Sequence, residues 1–397
     1  MKIAMLIKSF STTGGAERYA VELSTRLLKR GHEVHLFVQR WDPALLPGFV
    51  LHGIHWIRVA RYLNSLYYAF QTRRLVRRQH FDVVHSHQRT LHHHVLSMHH
   101  PCYRMGRPAS GRWGRWLNAI RGTVNPRHLT YRWLERREFH CRLLTHVIAV
   151  SDGTRQDILA HYPLDPARVH VIHPGVDSER MAPDAVRRHR VEVRKELELD
   201  AQDRVLIFVG SEFERKGLRH VIDALGLLQR DGRGRQPHLL VLGGGQAGPY
   251  QRQAEQLGVA RRVHFLGLRT QVERYYAAAD ICLLPSLSDP FGMVVLEAMA
   301  CGLPVIVSRH QGVAELLKDG YNAYLLENPR DSTRIAELTA QLDDDRLREE
   351  MGRRARETAQ ACSWDAMTDR VLALYAESIR QRAVAGSHGE RDHAMAG

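Results

Sequence analysis

Residues 281–315 read ICLLPSLSDPFGMVVLEAMACGLPVIVSRHQGVAE. Ile281-Cys282-Leu283-Leu284 and Pro304-Val305-Ile306-Val307 are short apolar runs without alternation, the pattern of strands covered on both faces. Between them Pro290-Phe291-Gly292 forms a turn, and 292–301 reads as a helix. Strand, turn, helix and strand in that order make one parallel β-α-β unit.

The rhythm continues on both sides. Strands are expected at 204–210, 238–242, 263–265 and 323–326. Helices are expected from Gly217 and at 248–258, 269–279, 312–318 and 331–341. A second run of the same kind opens the chain: strand Lys2–Ile7, a polar loop Ser9–Gly15, a helix 16–30 stopped by Gly31, and strand Glu33–Val38. Further strands are expected at 81–85, 94–98 and 147–150, with a helix at 129–143. Residues 102–128, rich in Arg, Gly, Pro and Trp, break the rhythm and read as an inserted loop. The charged stretch 174–203 lacks a strand pattern and marks a boundary. The tail after Gln381 is small and polar and is expected to fray. The expected fold class is therefore α/β, with two Rossmann-like domains, 1–175 and 176–365, and a terminal helix in 366–397.

Composition narrows the function. The chain has 397 residues, 44 % hydrophobic and 25 % charged, which suits folded domains and excludes wholesale disorder. No run of 18 apolar residues is present, so no transmembrane helix is expected. Met1–Phe10 lacks the length and cleavage site of a secretory signal. The five cysteines are odd in number and none sits at metal or redox spacing, which fits reduced thiols in the cytoplasm. The net charge of +14 is uneven: residues 1–150 hold 24 basic and 7 acidic side chains. Within 101–142, ten Arg stand against Glu135 and Glu138, interleaved with Trp113, Trp116, Tyr131, Trp133 and Phe139. Such a stretch suits an anionic membrane surface or a phosphorylated acceptor. No nucleic-acid module accompanies it, so no nucleic acid is expected as partner.

The chemistry points to a phosphate and a sugar. A helix starting at Gly292 presents free N–H groups and positive dipole character, both suited to phosphate. Glu297, one and a half turns in, can accept two hydroxyl hydrogen bonds, as from a ribose. Asp289, on the loop eight residues earlier, can meet hydroxyls of a second ring. Together they suit a nucleotide diphosphate sugar lying across the helix start. No second acidic pair of glycosidase type stands out.

These residues resemble the E-x7-E signature of retaining, GT-B-fold glycosyltransferases of the large family 4, with Asp289 in place of the first Glu. Gly14-Gly15 with Glu17 resembles the family's N-terminal loop facing the donor phosphates. Phe81–His87 resembles its D-V-V-H-x-H strand end, Val171–Asp177 its hinge ending in G-V-D, and Phe208-Val209-Gly210 with Lys216-Gly217 its diphosphate-binding loop. The resemblance spans roughly 3–375. Ser211 stands where the family usually has Arg, and Arg215 beside Lys216 can supply that charge. The form Gly-Ser-x-Phe-x-Arg-Lys-Gly-Leu and the run Asn125–Arg137 are similar to the lipopolysaccharide core glucosyltransferase group.

The resemblance implies two domains facing each other across a cleft, with acceptor on 1–175, nucleotide sugar on 176–365 and the last helix crossing back. It implies retaining transfer of a hexose, with UDP-glucose as expected donor, to a lipid-linked glycan such as the lipopolysaccharide core. Other glycolipid or exopolysaccharide acceptors, or a nucleotide-sugar 2-epimerase on the same fold, are the alternatives. The expected catalytic residues are His99, Arg215, Lys216 and Asp289. The expected substrate-binding residues are Gly14, Gly15, Glu17, His87, Gly210, Ser211, Pro290, Phe291, Gly292, Met293 and Glu297. Lys216 and Arg215 would stabilise the charge growing on the departing diphosphate. No metal and no cofactor is expected, and the location is the inner face of the plasma membrane. Seven histidines within 85–100 invite a metal reading, but successive His92-His93-His94 cannot all point one way on a strand. Gly243-Gly244-Gly245 would border the donor or permit a tight turn. Trp364 reads as an anchor.

Overall fold

A computed structural model describes residues 1–103, 125–232 and 236–394. Most of the inserted loop expected at 102–128, with Trp113 and Trp116, lies outside the described residues. The chain divides into two units, Met1–His173 with Asp365–Gly397, and Pro174–Trp364.

The first unit contains β1 (Lys2–Leu6), β2 (Ser9–Phe10), β3 (Glu33–Val38), β4 (Arg40–Trp41), β5 (Val50–Gly53), β6 (Val83–Ser86), β7 (Val95–Met98), β8 (His146–Ala149) and β9 (Val169–Val171). Seven of these form one sheet in the order β5-β3-β1-β6-β7-β8-β9, and every neighbouring pair is parallel. The strands lack alternation because both faces are covered: Ile3, Ala4, Met5 and Leu6 are all fully buried. Helix Gly15–Lys29 lays Tyr19, Ala20, Leu23 and Leu27 on the sheet at spacings of three and four. It ends before Gly31, whose φ of +80° a side chain would resist. The terminal helix Trp364–Ala394 packs into this unit, with Asp365 and Asp369 paired to Arg30 and the Tyr375 hydroxyl 2.6 Å from His85 Nδ1.

The second unit contains β10 (Val205–Val209), β11 (His238–Leu242), β12 (Val263–Gly267), β13 (Ile281–Leu284), β14 (Val305–Ser308) and β15 (Tyr324–Leu326). Their order is β12-β11-β10-β13-β14-β15, parallel throughout. Strand order reverses between β10 and β13 here, and between β1 and β6 in the first unit. In such sheets ligands bind beyond the carboxyl ends of the strands at the reversal.

Two expectations, for the tail and for 312–318, need correction, and stretch 174–203, which carries no strand, holds a helix in addition. The buried side of that helix, Pro183–Glu196, is partly ionic. Arg194 is 4 % exposed and reaches Asp280 at 3.0 Å, and Arg190 reaches it at 2.7 Å. A helix held by buried arginines leaves little apolar periodicity to read. The tail expected to fray after Gln381 is helical as far as Ala394, with Arg382 bonded to the Asp82 carbonyl and Ala383 favouring helix. The helix expected at 312–318 is a five-residue 3-10 turn, Gly312–Leu316. Its first N–H groups are held by Asp289 and Phe291 carbonyls of the adjacent loop. The helix expected from Gly217 is present as Leu218–Asp231, with Gly217 at φ +83° as its N-cap, and a further short helix, Phe213–Lys216, precedes it.

Candidate active site

In the second unit the loops after β10, β11, β13 and β14 converge. Gly210 follows β10, and Ser211 Oγ accepts a hydrogen bond from Gly244 N at 3.2 Å. A Cβ on Gly243 would lie 2.1 Å from the Gly210 carbonyl, and one on Gly245 2.6 Å from that of Ser211. Gly243 and Gly245 therefore let the Gly210–Phe213 loop sit on them, whereas a Cβ on Gly244 would meet only ordinary contact. A Cβ on Gly217 would lie 2.2 Å from the Pro285 carbonyl, so the loops after β10 and β13 also touch.

That contact brings Arg215 and Lys216 to Asp289. Lys216 Nζ is in direct contact with Asp289 Oδ2, and Arg215 lies 3.8 Å from the same oxygen. Arg215 also bonds Glu212 at 2.6 Å and the Ser288 carbonyl at 2.5 Å. Lys216 and Asp289 are mostly buried, whereas Arg215 is partly exposed. Asp289 is further pinned by a backbone bridge to Gln311, and its Oδ1 accepts from Phe291 N at 3.4 Å. Gln311 itself donates to the Leu284 carbonyl at 2.5 Å, a brace that no local sequence signal announced.

Gly292, at φ +97°, precedes helix Met293–Ala300 and supplies no side-chain cap. Pro290, Phe291, Gly292 and Met293 thus form the turn and first residue of a helix whose N-terminus lies beside Asp289. The Phe291 ring is buried, so only its backbone is available to a ligand. Glu297, one and a half turns in, is buried, with the Tyr276 hydroxyl 3.4 Å from Oε2. Tyr276 comes from another helix, Val272–Ala278, and only tertiary packing reveals it. Burial, and then the Glu297 charge, push the Cys282 thiol up to about 12, which makes it inert.

In the first unit Gly14, at φ +107°, precedes helix Gly15–Lys29. Glu17 folds back over that helix start: its Oε2 lies 2.5 Å from where a Gly14 Cβ would be. Partial burial raises the Glu17 carboxyl above its usual range. His87 and His99 follow β6 and β7, with His87 Nδ1 3.0 Å from His99 Nε2. Burial lowers both, His87 well below the usual range and His99 to about 3, so both are neutral at pH 7.

His93 and His94 are occupied structurally. His94 Nδ1 accepts from Val84 N at 3.1 Å, and His93 Nε2 lies 3.2 Å from the Glu138 carbonyl. Among the described residues one trio, Cys102, Asp157 and His161, brings ligand-type atoms within 4.8 Å of one another. Asp157 there already accepts from Cys102 N at 2.8 Å. Glu135 and Glu138, which read as offsets to the Arg-rich stretch, are both buried, and Arg89 bonds Glu135 at 2.8 Å. Nearby, Lys8 is lowered to about 8, first by burial and then by Arg89.

Known proteins carry the same features. Residues 13–180 match the Glycosyltransferase Family 4 model, and residues 189–358 match the Glycosyl transferases group 1 model. The D-inositol 3-phosphate glycosyltransferase of Corynebacterium glutamicum is 34 % identical over 61 % of this chain and 60 % of its own length. The chain thus spans less than two thirds of that relative. The lipopolysaccharide glucosyltransferase WaaG of Escherichia coli is 27 % identical over 85 % of this chain and 88 % of its own. Among solved structures, WaaG superposes with a TM-score of 0.82 at 23 % identity, covering 94 % of this chain and 99 % of that one. Anabaena HepE in complex with UDP-glucose gives 0.74 at 20 % identity, covering 95 % and 100 %. Two parallel sheets, each reversing at the strands that bear the signature loops, and two domain matches over 13–180 and 189–358 make this chain a member of the family 4, group 1 glycosyltransferases with the GT-B fold.

Proposed function

We propose that the protein is a retaining glycosyltransferase that moves a hexose from a nucleotide diphosphate sugar, UDP-glucose, to a lipid-linked glycan of the lipopolysaccharide core type. The observation that carries this reading is the convergence of Lys216, Arg215, Asp289 and the uncapped helix start at Met293, all at the strand-order reversal of the second unit. The UDP-glucose complex of HepE and the lipopolysaccharide glucosyltransferase activity of WaaG support it.

In this reading the diphosphate lies over the Gly292–Met293 helix start and takes up Lys216. Glu297 receives the ribose hydroxyls. Asp289 meets hydroxyls of the transferred sugar. As the bond from the anomeric carbon to the β-phosphate oxygen breaks, negative charge grows on the diphosphate, and Lys216 and Arg215 stabilise it without reorganising. The acceptor hydroxyl attacks on the face the diphosphate leaves and passes its proton to a diphosphate oxygen. No enzymic nucleophile is needed, and the two cations do the work that a divalent metal does elsewhere.

The acceptor part rests on the first unit. Helices Arg61–Val76 and Pro126–Phe139 expose Phe70, Leu129 and Trp133, with the Phe70 and Trp133 rings stacked at 6.2 Å and Arg137 over Trp133. Because Glu135 and Glu138 are buried, the outward charge of the second helix is basic, which suits an anionic lipid surface. Among the described residues no helix is long and apolar enough to cross a membrane. Binding to liposomes should increase with anionic lipid and decrease with salt; binding to neutral liposomes alone refutes the membrane role.

A second acceptor class has support of its own: the inositol phosphate relatives favour a small phosphorylated acceptor. Calorimetry with UDP, GDP and ADP, with and without EDTA, tests the donor site first. UDP binding that is indifferent to EDTA is expected; no nucleotide binding overturns the reading. Turnover of UDP-glucose with core fragments and with inositol phosphate then separates the acceptors. Sugar conversion without any acceptor would instead indicate an epimerase.

A further inference from the structure

We infer that His87 is a positioning residue that holds His99 in the tautomer with its proton on Nδ1. The inference rests on the expectation that His99 is a catalytic residue.

The two rings belong to a packed group at the strand-order reversal of the first unit. The His87 ring lies against His85 with centroids 4.2 Å apart and stacks on His99 at 5.3 Å. Tyr19 packs edge-on against His99 at 4.6 Å. His85 has both nitrogens engaged, by Tyr375 at 2.6 Å and by Ser97 Oγ at 2.8 Å. His87 differs: Nδ1 faces His99 Nε2 at 3.0 Å, while its buried Nε2 has no hydrogen-bond partner among the described residues. His87 is 2 % exposed, so it stands behind His99 rather than at the surface.

A neutral imidazole carries one N–H. Two proton placements can join these rings. In one, His87 Nδ1–H donates to His99 Nε2; His87 Nε2 is then a bare lone pair, and the His99 proton sits on Nδ1. In the other, His99 Nε2–H donates to His87 Nδ1; His87 Nε2–H is then a buried donor with no acceptor. Orphaned buried N–H groups are the rarer and costlier kind, whereas an under-used acceptor is tolerated. The first placement therefore holds. His99 consequently offers its ligand side an N–H donor, suited to a hydroxyl or phosphate oxygen. It cannot take the proton of an acceptor hydroxyl, which separates this histidine from a general base.

The test is long-range proton–nitrogen correlation NMR on the full chain labelled with 15N-histidine. Spectra of His99→Gln and His87→Asn assign the two rings. The expected result is protonated Nδ1 and bare Nε2 on both. His87→Leu removes the donor and should move the His99 proton to Nε2 or mix the two forms. His87→Asn keeps an N–H at nearly the Nδ1 position and should restore the wild-type His99 pattern. With UDP-glucose, His87→Leu should lower kcat roughly tenfold to a hundredfold with the donor KM within about threefold, and His87→Asn should recover most of it. Wild-type His99 carrying its proton on Nε2 overturns the inference. So does His87→Leu with unchanged His99 nitrogens and intact His85 signals. If His87→Leu does not fold, the wild-type spectrum decides alone. The nitrogen pattern is independent of turnover, so an expected pattern with no UDP binding would sink the functional reading and leave this one standing.

Discussion

Asp289→Asn should tighten UDP binding while slowing sugar transfer. In the free protein Lys216 is already neutralised, with Nζ against Asp289 Oδ2 and both side chains only about a tenth exposed, at 12 % and 10 %. An incoming diphosphate must share that ammonium with a carboxylate about 4 Å away. Two unit charges at that distance repel by about 4 kcal/mol at an effective dielectric of about 20. Residual solvent access halves this to about 2 kcal/mol, or roughly 30-fold in Kd. Asparagine keeps the shape and can still accept from Phe291 N. The sugar, however, loses a charged acceptor, and exchanging charged for neutral hydrogen bonds costs about 1–2 kcal/mol, roughly 5- to 30-fold in kcat. Titration calorimetry with UDP and steady-state turnover of UDP-glucose give the two numbers. Adding Lys216→Met should abolish the tightening, since the contested charge is then gone. UDP affinity that is unchanged or weaker in Asp289→Asn would show that the carboxylate does not compete for Lys216, and the Lys216–diphosphate assignment would fall with it.

Three further outcomes follow from other parts of the structure. Glu297→Ala should raise the Kd for UDP by about 2–3 kcal/mol, roughly 30- to 150-fold, by removing a charged ribose acceptor; calorimetry showing less than a threefold change refutes the ribose role. Asp280→Asn leaves Arg190 and Arg194 facing a neutral group and should destabilise the second unit by about 3–5 kcal/mol in urea unfolding; a loss under 1 kcal/mol would mean the buried arginines are satisfied by backbone carbonyls alone. Stability should also fall on acidification. His93, His94, His99 and His100 are lowered to about 3 by burial, so between pH 6.5 and 3 the unfolded chain binds protons that the folded chain does not. That stability is present above pH 6.5 and lost as pH falls; a melting temperature flat from pH 7 to pH 4.5 contradicts it.

Much of the fold was legible in local patterns. Strands 238–242 and 281–284 were read to the residue, because two-sided burial demands short unbroken apolar runs bounded by polar or glycine residues. Helix Pro183–Glu196 is not legible because its buried face carries only Val186 and Val193 beside Arg194, whose charged partner Asp280 lies 86 residues away. The site residues fall into the same two classes. Asp289 and Glu297 stand out by their spacing around a glycine turn together with the family resemblance, and Lys216 by the resemblance of its loop. Tyr276, Gln311 and Tyr375 were not, since each acts through one contact made by a distant element.

The sequence by itself determined that this chain is parallel α/β, that it repeats that plan twice, and which loops are the candidates for phosphate and sugar chemistry. Strand hydrophobicity, turn glycines and motif spacing are local quantities, and local quantities can be read along a chain. Only the tertiary structure decided what those loops do to one another. It set the strand order that reverses at β10 and β13, clasped Asp289 to Lys216, and put His87 behind His99. Charge pairing and tautomer depend on which groups lie within about 3 Å in a desolvated place, and chain spacing does not encode that distance.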